Sequence, residues 1–424
     1  MNFELIVFGG GTSGIAAAYI ASKYGIKTLL VEKDDVLGGA MTRGLVMPSM
    51  KLDTSNINVE FYNDLQVFAK KYNANHKYID NNDGWFNPEL LKIIFDDMLS
   101  SVNTTVLFHC NPINIEYDTL TRLFNINLSN DMLSIYIDTT YIIDATSNGK
   151  IFKLLNCDFQ NDTENMQAAS LRFMISGINI DDFADWLEKF DKNRDVTTID
   201  RTSKQIHLST ACTWDCSNGW ALTPLFNKAV KNNDLEFEDT AYFQLFTVPA
   251  MCGTVNINAP RIILDEDESI LDPFVYSRAL LQGRERIYRL FKFCKKYLPG
   301  FENCYISHIS DMLGVRESYR VKCKYTYKKD DIINNSNFSN IAFTSNYPID
   351  VHSTTQGNDS LEFVTKTYKV PIETLISDKF DNLYAVGRII SAEFEAQAAL
   401  RTQRNCFSMG EAAAKDILKK IKRG

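Results

Sequence analysis

The chain has little of what punctuates irregular structure: 10 Pro and 20 Gly in 424 residues. With 45% hydrophobic and 23% charged residues, that scarcity excludes a collagen-like, low-complexity or disordered chain. Long apolar runs are also missing, and none approaches the roughly 18 residues that span a bilayer. Met1-Asn2-Phe3-Glu4 offers no positive leader, and the run Leu5–Phe8 is too short for an apolar export segment, so no signal peptide is expected. Basic runs are absent outside the last ten residues, and 45 Lys plus Arg against 53 Asp plus Glu leave a net charge of −8. Such a chain is poorly suited to a phosphate backbone, so nucleic acid is not an expected partner. Cysteine is odd in number, nine in all, and absent from the first hundred residues. The expectation is free, buried thiols in a reducing cytoplasm, with no membrane role and no metal. The length gives a soft prior of two or three folding units.

What is present lies first at the N-terminus. Glu4-Leu5-Ile6-Val7-Phe8 reads as a buried parallel strand. It stops at Gly9-Gly10-Gly11-Thr12-Ser13-Gly14 and is followed by an alanine-rich helix ending at Gly25. Lys27–Val31 is a second strand closed by Glu32 and Lys33. In this pattern Gly9 allows the tight turn, Gly11 lets the backbone approach a diphosphate, and Gly14 lets the helix pack on the sheet. Thr12 and Ser13 open the helix, whose N-terminus favours phosphate. Glu32 is placed to accept hydrogen bonds from ribose hydroxyls. A GxGxxG between strand and helix, with an acid at the next strand end, is a strong dinucleotide signal. Leu37-Gly38-Gly39-Ala40-Met41-Thr42-Arg43 comes soon after. Its glycine pair suits a long, extended cofactor, and Arg43 is read as pairing with phosphate or substrate, or as a solvated turn residue.

Three further stretches are read as returning to the same sheet. Thr104–Phe108 is a strand, and alternation from Ile113 to Ile137 predicts an antiparallel meander entered through Asn111 and Pro112. Thr140–Asp144 is an apolar strand that turns at Ala145, Thr146, Ser147, Asn148 and Gly149, and Asn382–Val386 repeats the step at Gly387 and Arg388. The predicted class is therefore α/β: a Rossmann-like domain with a parallel sheet, built from 1–155 and 351–424, with an α+β substrate domain inserted over 156–350.

In this order the segments resemble the FAD-dependent oxidoreductases of the glutathione-reductase-like flavoprotein superfamily. The resemblance continues at Pro299–Asn303, Leu313–Arg320, Tyr347–His352 and Asn382–Ala414, where Gly387, Arg388, Ser391, Ala392, Glu395, Arg401 and Gly410 match. It is weakest over Asp181–Gln205. Three positions depart: Ser147 stands for a glycine, Phe394 for the closing segment's usual histidine, and Arg404 for a proline. The resemblance implies FAD as cofactor. It also implies a last helix starting near 402–406 whose N-terminus, with Arg404, Asn405 and Cys406, faces the flavin's pyrimidine edge.

On the substrate side, Ala168–Ile175 and Phe243–Ile257 have strand character and Tyr276–Tyr297 that of a helix. The pocket is expected between the lobes. His352 and Arg401 are the candidate catalytic residues, since a flavin site needs an anchor and a proton-handling group. Their bland alternatives are a turn histidine and an inter-lobe ion pair. Arg316, Glu317 and Arg320 read as a structural ion-pair network. Cys212 and Cys216 lack the spacing of a redox pair and, with His207, fall short of a zinc site; Trp214 and Trp220 read as core or pocket wall. The cations of 411–424 suit a helix C-terminus. The expected reaction is hydride transfer between flavin and a small polar molecule, with electrons exchanged with a separate donor or oxygen. An amine or amino-acid-like substrate, and a non-catalytic binding protein on the same fold, are the alternatives. The intact glycines oppose the second. A single GxGxxG opposes a separate NADPH domain, and Gly387-Arg388 in place of Gly-Asp opposes aromatic hydroxylation.

Overall fold

The computed structural model describes residues 2–52, 57–79, 81–160, 167–193, 196–213, 220–265, 268–352 and 359–423. Among the described residues two large sheets carry the architecture. The first has seven strands: β1 (Asn2–Phe8), β2 (Thr28–Val31), β5 (Thr105–Leu107), β6 (Asn111–Asp118), β7 (Leu123–Ser129), β8 (Ser134–Asp144) and β19 (Leu383–Ala385). Its order is β5-β2-β1-β8-β7-β6, and β19 pairs in parallel with the end of β8. β1 runs parallel to β2 and β8, whereas β6, β7 and β8 form the expected antiparallel meander. The α/β class and the discontinuous parallel sheet are thus present.

Helix α1 (Thr12–Lys23) is buried from Ser13 to Ala21, because small residues allow neighbours on every side. Its main neighbour is α10 (Gln403–Ile421). At Gly410 a Cβ would lie 2.1 Å from the Ser13 carbonyl oxygen, so only glycine permits this approach. Helices α2 (Glu60–Lys71) and α3 (Pro88–Ser101) complete this layer. α3 starts where the Asn87 side chain accepts from the Glu89 and Leu90 N–H groups and Pro88 takes the first turn.

The second sheet runs β10 (Thr198–Asp200), β11 (His207–Thr213), β12 (Tyr242–Thr247), β13 (Val255–Ile262), β9 (Ala169–Ser176) and β14 (Tyr305–Ile309). The single stretch expected over Phe243–Ile257 is two strands, since Pro249–Gly253 turns the chain back. One face is apolar: Leu171, Phe173, Ile175, Leu245 and Ile257 share a core with α5 (Ile180–Phe190), α6 (Thr223–Lys231) and the predicted long helix α7 (Pro273–Tyr297). The opposite face carries Arg172, Gln244, Asn256 and Asn258, as strand alternation requires, and Arg261, which joins them through the register shift after Asn258.

This second core draws on residues 169–315. Val321 and Cys323 already pack with the first sheet, and Tyr327, Ile332, Phe343 and Ile349 join the core of α1. The chain therefore re-enters the first lobe well before 351. On the way it forms α8 (Lys329–Ile333) and the hairpin strands β15 (Ile341–Ser345), β16 (Ile349–Val351), β17 (Ser360–Glu362) and β18 (Tyr368–Pro371). The remaining short elements are β3 (Asn75–His76), β4 (Trp85–Phe86), α4 (Lys150–Leu154) and α9 (Phe394–Leu400). None of the described helices is long and apolar enough to cross a membrane.

Candidate functional site

Gly9 leaves β1 with φ +97°, and a Cβ there would lie 2.5 Å from the Ala145 carbonyl oxygen. Gly14 is tighter still, its absent Cβ falling 1.8 Å from the Gly9 carbonyl oxygen. The N-cap of α1 is Gly11, which supplies no side-chain acceptor. The first-turn N–H groups of Thr12, Ser13 and Gly14 therefore have no cap and point outward. A Cβ on Gly11 would meet nothing within 4 Å. That open backbone at a helix N-terminus is what a diphosphate requires, so the turn fits the group that the motif implies.

Glu32 is buried at the end of β2. Its Oε2 accepts from Gly10 N–H at 2.6 Å and its Oε1 from Asp34 N–H at 2.9 Å. Burial pushes its carboxyl up, against those two hydrogen bonds. One lone pair on each oxygen is thereby used, leaving each oxygen able to accept once more. Lys33 is largely exposed beside Asp34. Gly38 N–H donates to the Gly10 carbonyl at 2.8 Å, and Gly39 lies against the Gly11 Cα. Met41 is in the core of α1. The Thr42 hydroxyl bonds the Leu37 carbonyl, and Arg43 pairs with Asp34. Asn111 accepts from Lys150 Nζ at 3.4 Å, and Pro112 is a buried β6 residue.

The turn after β8 is organised by Asp144, whose role went unread in the sequence. It is fully buried, and Oδ1 accepts from both the N–H and the hydroxyl of Thr146, at 2.9 and 2.7 Å. Its Oδ2 accepts from Ile151 N–H at 2.9 Å and so caps α4. Ser147, standing where the family has glycine, keeps a left-handed φ of +67°, a strain of about 1 kcal/mol. Arg388 clasps this turn: Nε donates to the Ser147 carbonyl at 2.9 Å and Nη2 to Asn148 Oδ1 at 2.9 Å, while Nη1 reaches the Val315 carbonyl. Gly387 brings the closing strand onto Ser13, where a Cβ would sit 3.1 Å from the hydroxyl.

Helix α10 begins at N-cap Thr402 with no side-chain cap, inside the range expected. Thr402 Oγ1, Gln403 Oε1, Arg404 Nε and Asn405 Oδ1 are buried without a partner. A helix end with uncapped N–H groups and four unpartnered polar atoms fits the carbonyl and imide edge of a flavin. Arg404, where the family has proline, donates to Asp83 Oδ1 at 2.6 Å and lies 4.4 Å over the Tyr62 ring. Cys406 is hydrogen-bonded to Ser13 and, at 3.4 Å, to the Arg401 carbonyl. The openings of α1 and α10 are therefore neighbours. Phe394 begins α9, half-buried.

His352 and Arg401 come together around Asp350. His352 Nε2 lies 3.3 Å from Asp350 Oδ2, Tyr347 donates to the same oxygen at 3.2 Å, and Arg401 Nη2 lies 3.6 Å from it. Burial pushes the Asp350 carboxyl up, but His352, Arg401 and Arg316 outweigh it and hold it well below the usual range. Burial and the Arg316 charge push His352 down to about 4, against the pull of Asp350. Arg261 Nη2 is 3.5 Å from His352 Nδ1, and its Nη1 pairs with Asp359 at 2.8 Å. Arg401 Nη2 donates to the Asp350 carbonyl at 3.0 Å and to Gln167 Oε1 at 3.2 Å, and its Nε has no partner. Glu317 and Arg320 form the expected buried ion pair at 3.1 Å. Arg316 instead turns toward the Ala168 carbonyl. Arg172 and Arg261 escaped sequence reading because their neighbours are set by strand register.

Between β3–β4 and the polar face of the second sheet, His76 and His207 stack at 3.5 Å, and His76 Nε2 is 3.3 Å from Asp200 Oδ2. Burial, then His76, pushes His207 down to about 4. Among the described cysteines none forms a disulfide. Cys216, Asp215 and Trp214 lie outside the described residues, and Trp220 is half-buried ahead of α6. No group of three or more His, Cys, Asp or Glu able to hold a metal occurs among the described residues.

A family model described as FAD dependent oxidoreductase matches residues 4–418. No curated protein matches the sequence. Among solved structures the chain is similar to a geranylgeranyl bacteriochlorophyll reductase-like protein from Thermoplasma acidophilum, at 12% identity and a TM-score of 0.49, over 100% of this chain and 79% of that one. It is similar to a flavoprotein/dehydrogenase from Cytophaga hutchinsonii, at 11% and 0.47, over 100% and 79%. A p-nitrophenol 4-monooxygenase from Pseudomonas putida matches at 8% and 0.49, over 100% and 81%.

Proposed function

The chain belongs to the FAD dependent oxidoreductase family, and from that premise we propose that it transfers a hydride between flavin N5 and a small polar organic substrate held between its two lobes. When bound, FAD supplies the hydride chemistry. The chain's own residues bind and orient. The uncapped turn at Gly11–Gly14 takes the diphosphate, Glu32 the ribose, and the start of α10 the pyrimidine edge, where its dipole favours negative charge. Arg401, with Nε unpartnered, anchors a polar group of the substrate. His352 is neutral at pH 7 and its Nε2–H is directed at Asp350, so it positions that carboxylate and serves only as a weak base.

One observation carries this reading: two uncapped helix N-termini, those of α1 and α10, meet across Cys406. Purified protein is expected to be yellow and to release FAD on denaturation. Anaerobic mixing with a turned-over substrate, or with a reductant, should bleach the flavin bands in one two-electron step. Colourless protein that no added FAD restores defeats the proposal.

A further inference from the structure

We propose that the polar face of the second sheet, beside the start of α10, binds a small organic dicarboxylate held by Arg172, Arg261, Arg316 and Arg401. The identity of the neighbouring cofactor rests on the function proposed above; the anion site itself does not.

The four guanidinium groups come from β9, β13, the loop after β14 and the residue before the N-cap of α10. They share one environment. Burial, then Arg401, Arg261 and Arg172 in turn, pushes Arg316 down to about 9. Tyr242 feels Arg172, Arg261, Arg316 and Asp350, and Arg261 lies 5.4 Å over its ring. Among the described residues, Asp350, beside Arg401, and Asp359, on Arg261, stand against these four cations. With His352 neutral, two positive charges remain in surplus among the described residues. Holding buried charges uncompensated is costly, and a chain retains them where a ligand supplies the counter-charge.

The unpartnered atoms give the sign and shape of that ligand. Arg172 is only 9% exposed, yet its Nε and Nη1 have no partner; Arg401 Nε and Gln167 Nε2 are likewise buried and unpartnered. All four are donors. Planar guanidinium edges match carboxylates in a two-point fork, which a neutral amide cannot reproduce. Two surplus charges, one on β9 and one in the loop after β14, with Asp350 between Arg401 and His352, call for an anion with two separated carboxylates rather than one compact group.

The test is a titration of the FAD-loaded protein with succinate, malonate, butyrate, succinamide and inorganic phosphate, read by flavin absorption and by melting temperature. Succinate or malonate is expected to perturb the flavin spectrum, to raise the melting temperature, and to bind at least about tenfold more tightly than butyrate, with succinamide inert. Arg172→Met should weaken that binding at least about tenfold at unchanged flavin content, and should raise the melting temperature in the absence of anion. Absence of dicarboxylate binding, equal binding of succinamide, or phosphate binding as tightly as either dicarboxylate overturns the proposal. Those arms use unaltered protein and decide the matter even if the variant does not fold. Colourless protein defeats the cofactor reading, whereas yellow protein indifferent to dicarboxylates defeats this one alone.

Discussion

At the opening of α1 the groups proposed to face the ligand are backbone N–H groups on a turn of three glycines, and the nearby Glu32 carboxylate is already tied to Gly10 and Asp34. On the polar face of the second sheet the ligand-facing groups are charged side chains, and Arg172 leaves two of its nitrogens unpartnered. The first region is pre-organised at almost no desolvation cost, because uncapped N–H groups at a helix end are unpaired in any case. The second holds charge in reserve and is less stable empty than filled. Arginine by itself does not distinguish the two situations. Arg388 is half-buried where Arg172 is buried, and it donates to the Ser147 and Val315 carbonyls and to Asn148. A satisfied arginine fastens loops, and an unsatisfied one awaits a partner.

The largest effect is expected at Gly14. In Gly14→Ala the new Cβ falls 1.8 Å from the Gly9 carbonyl oxygen, and backbone cannot yield cheaply. A loss above about 3 kcal/mol is expected, with loss of bound FAD. Yield of folded, yellow protein and a urea midpoint check it. Next comes Arg388→Met, which leaves the Val315 carbonyl without its guanidinium donor while Ser147 keeps the Ser318 hydroxyl, and should cost about 2–3 kcal/mol in the same urea experiment. An equal loss for Arg172→Met would erase the distinction between the two arginines.

A smaller effect lies in acid. His207 and His352 are each depressed from 6.5 to about 4. The unfolded chain takes up these protons first, so stability is intact above about pH 6.5 and falls as pH drops toward 4, by roughly 1–3 kcal/mol per histidine. Asp350 is held low, so its contribution is lost only at pH values below that window. Melting temperature against pH should slope downward between pH 6.5 and 4, and His207→Phe should flatten part of that slope. A variant curve parallel to the parent would contradict the buried, neutral assignment of His207.

The cradle was readable from residues because its parts are contiguous: strand, glycines, helix and Glu32 follow one another within a few dozen positions. The return of Asn382–Arg388 to the same sheet was readable for a related reason, an apolar strand ending in glycine. The start of α10 fell in the expected range as well. What the order of residues could not convey is which face a side chain shares with a partner from another strand. Arg172 meets Asn258 and Arg261 meets Ser170 only through the β9–β13 register, which shifts between Asn258 and Arg261. The re-entry of the chain at Val321 was equally hidden, since Val321–Ile349 alternates no more clearly than the lobe it leaves. Arg43 and Thr42 illustrate the converse. Both sit in the expected stretch, yet one pairs with Asp34 and the other with the Leu37 carbonyl.

The last strand of the first sheet, β19, and the helix that covers α1 both come from the far end of the chain, whereas the second lobe's core is drawn from one continuous run. On the ribosome these two halves mature in opposite order to their appearance. The earliest strand and glycine turn emerge first but stay incomplete, while the later-made lobe can condense as soon as its own run is out. On the function proposed above, coenzyme binding therefore waits until α10 has been made and is gated by long-distance loop closure.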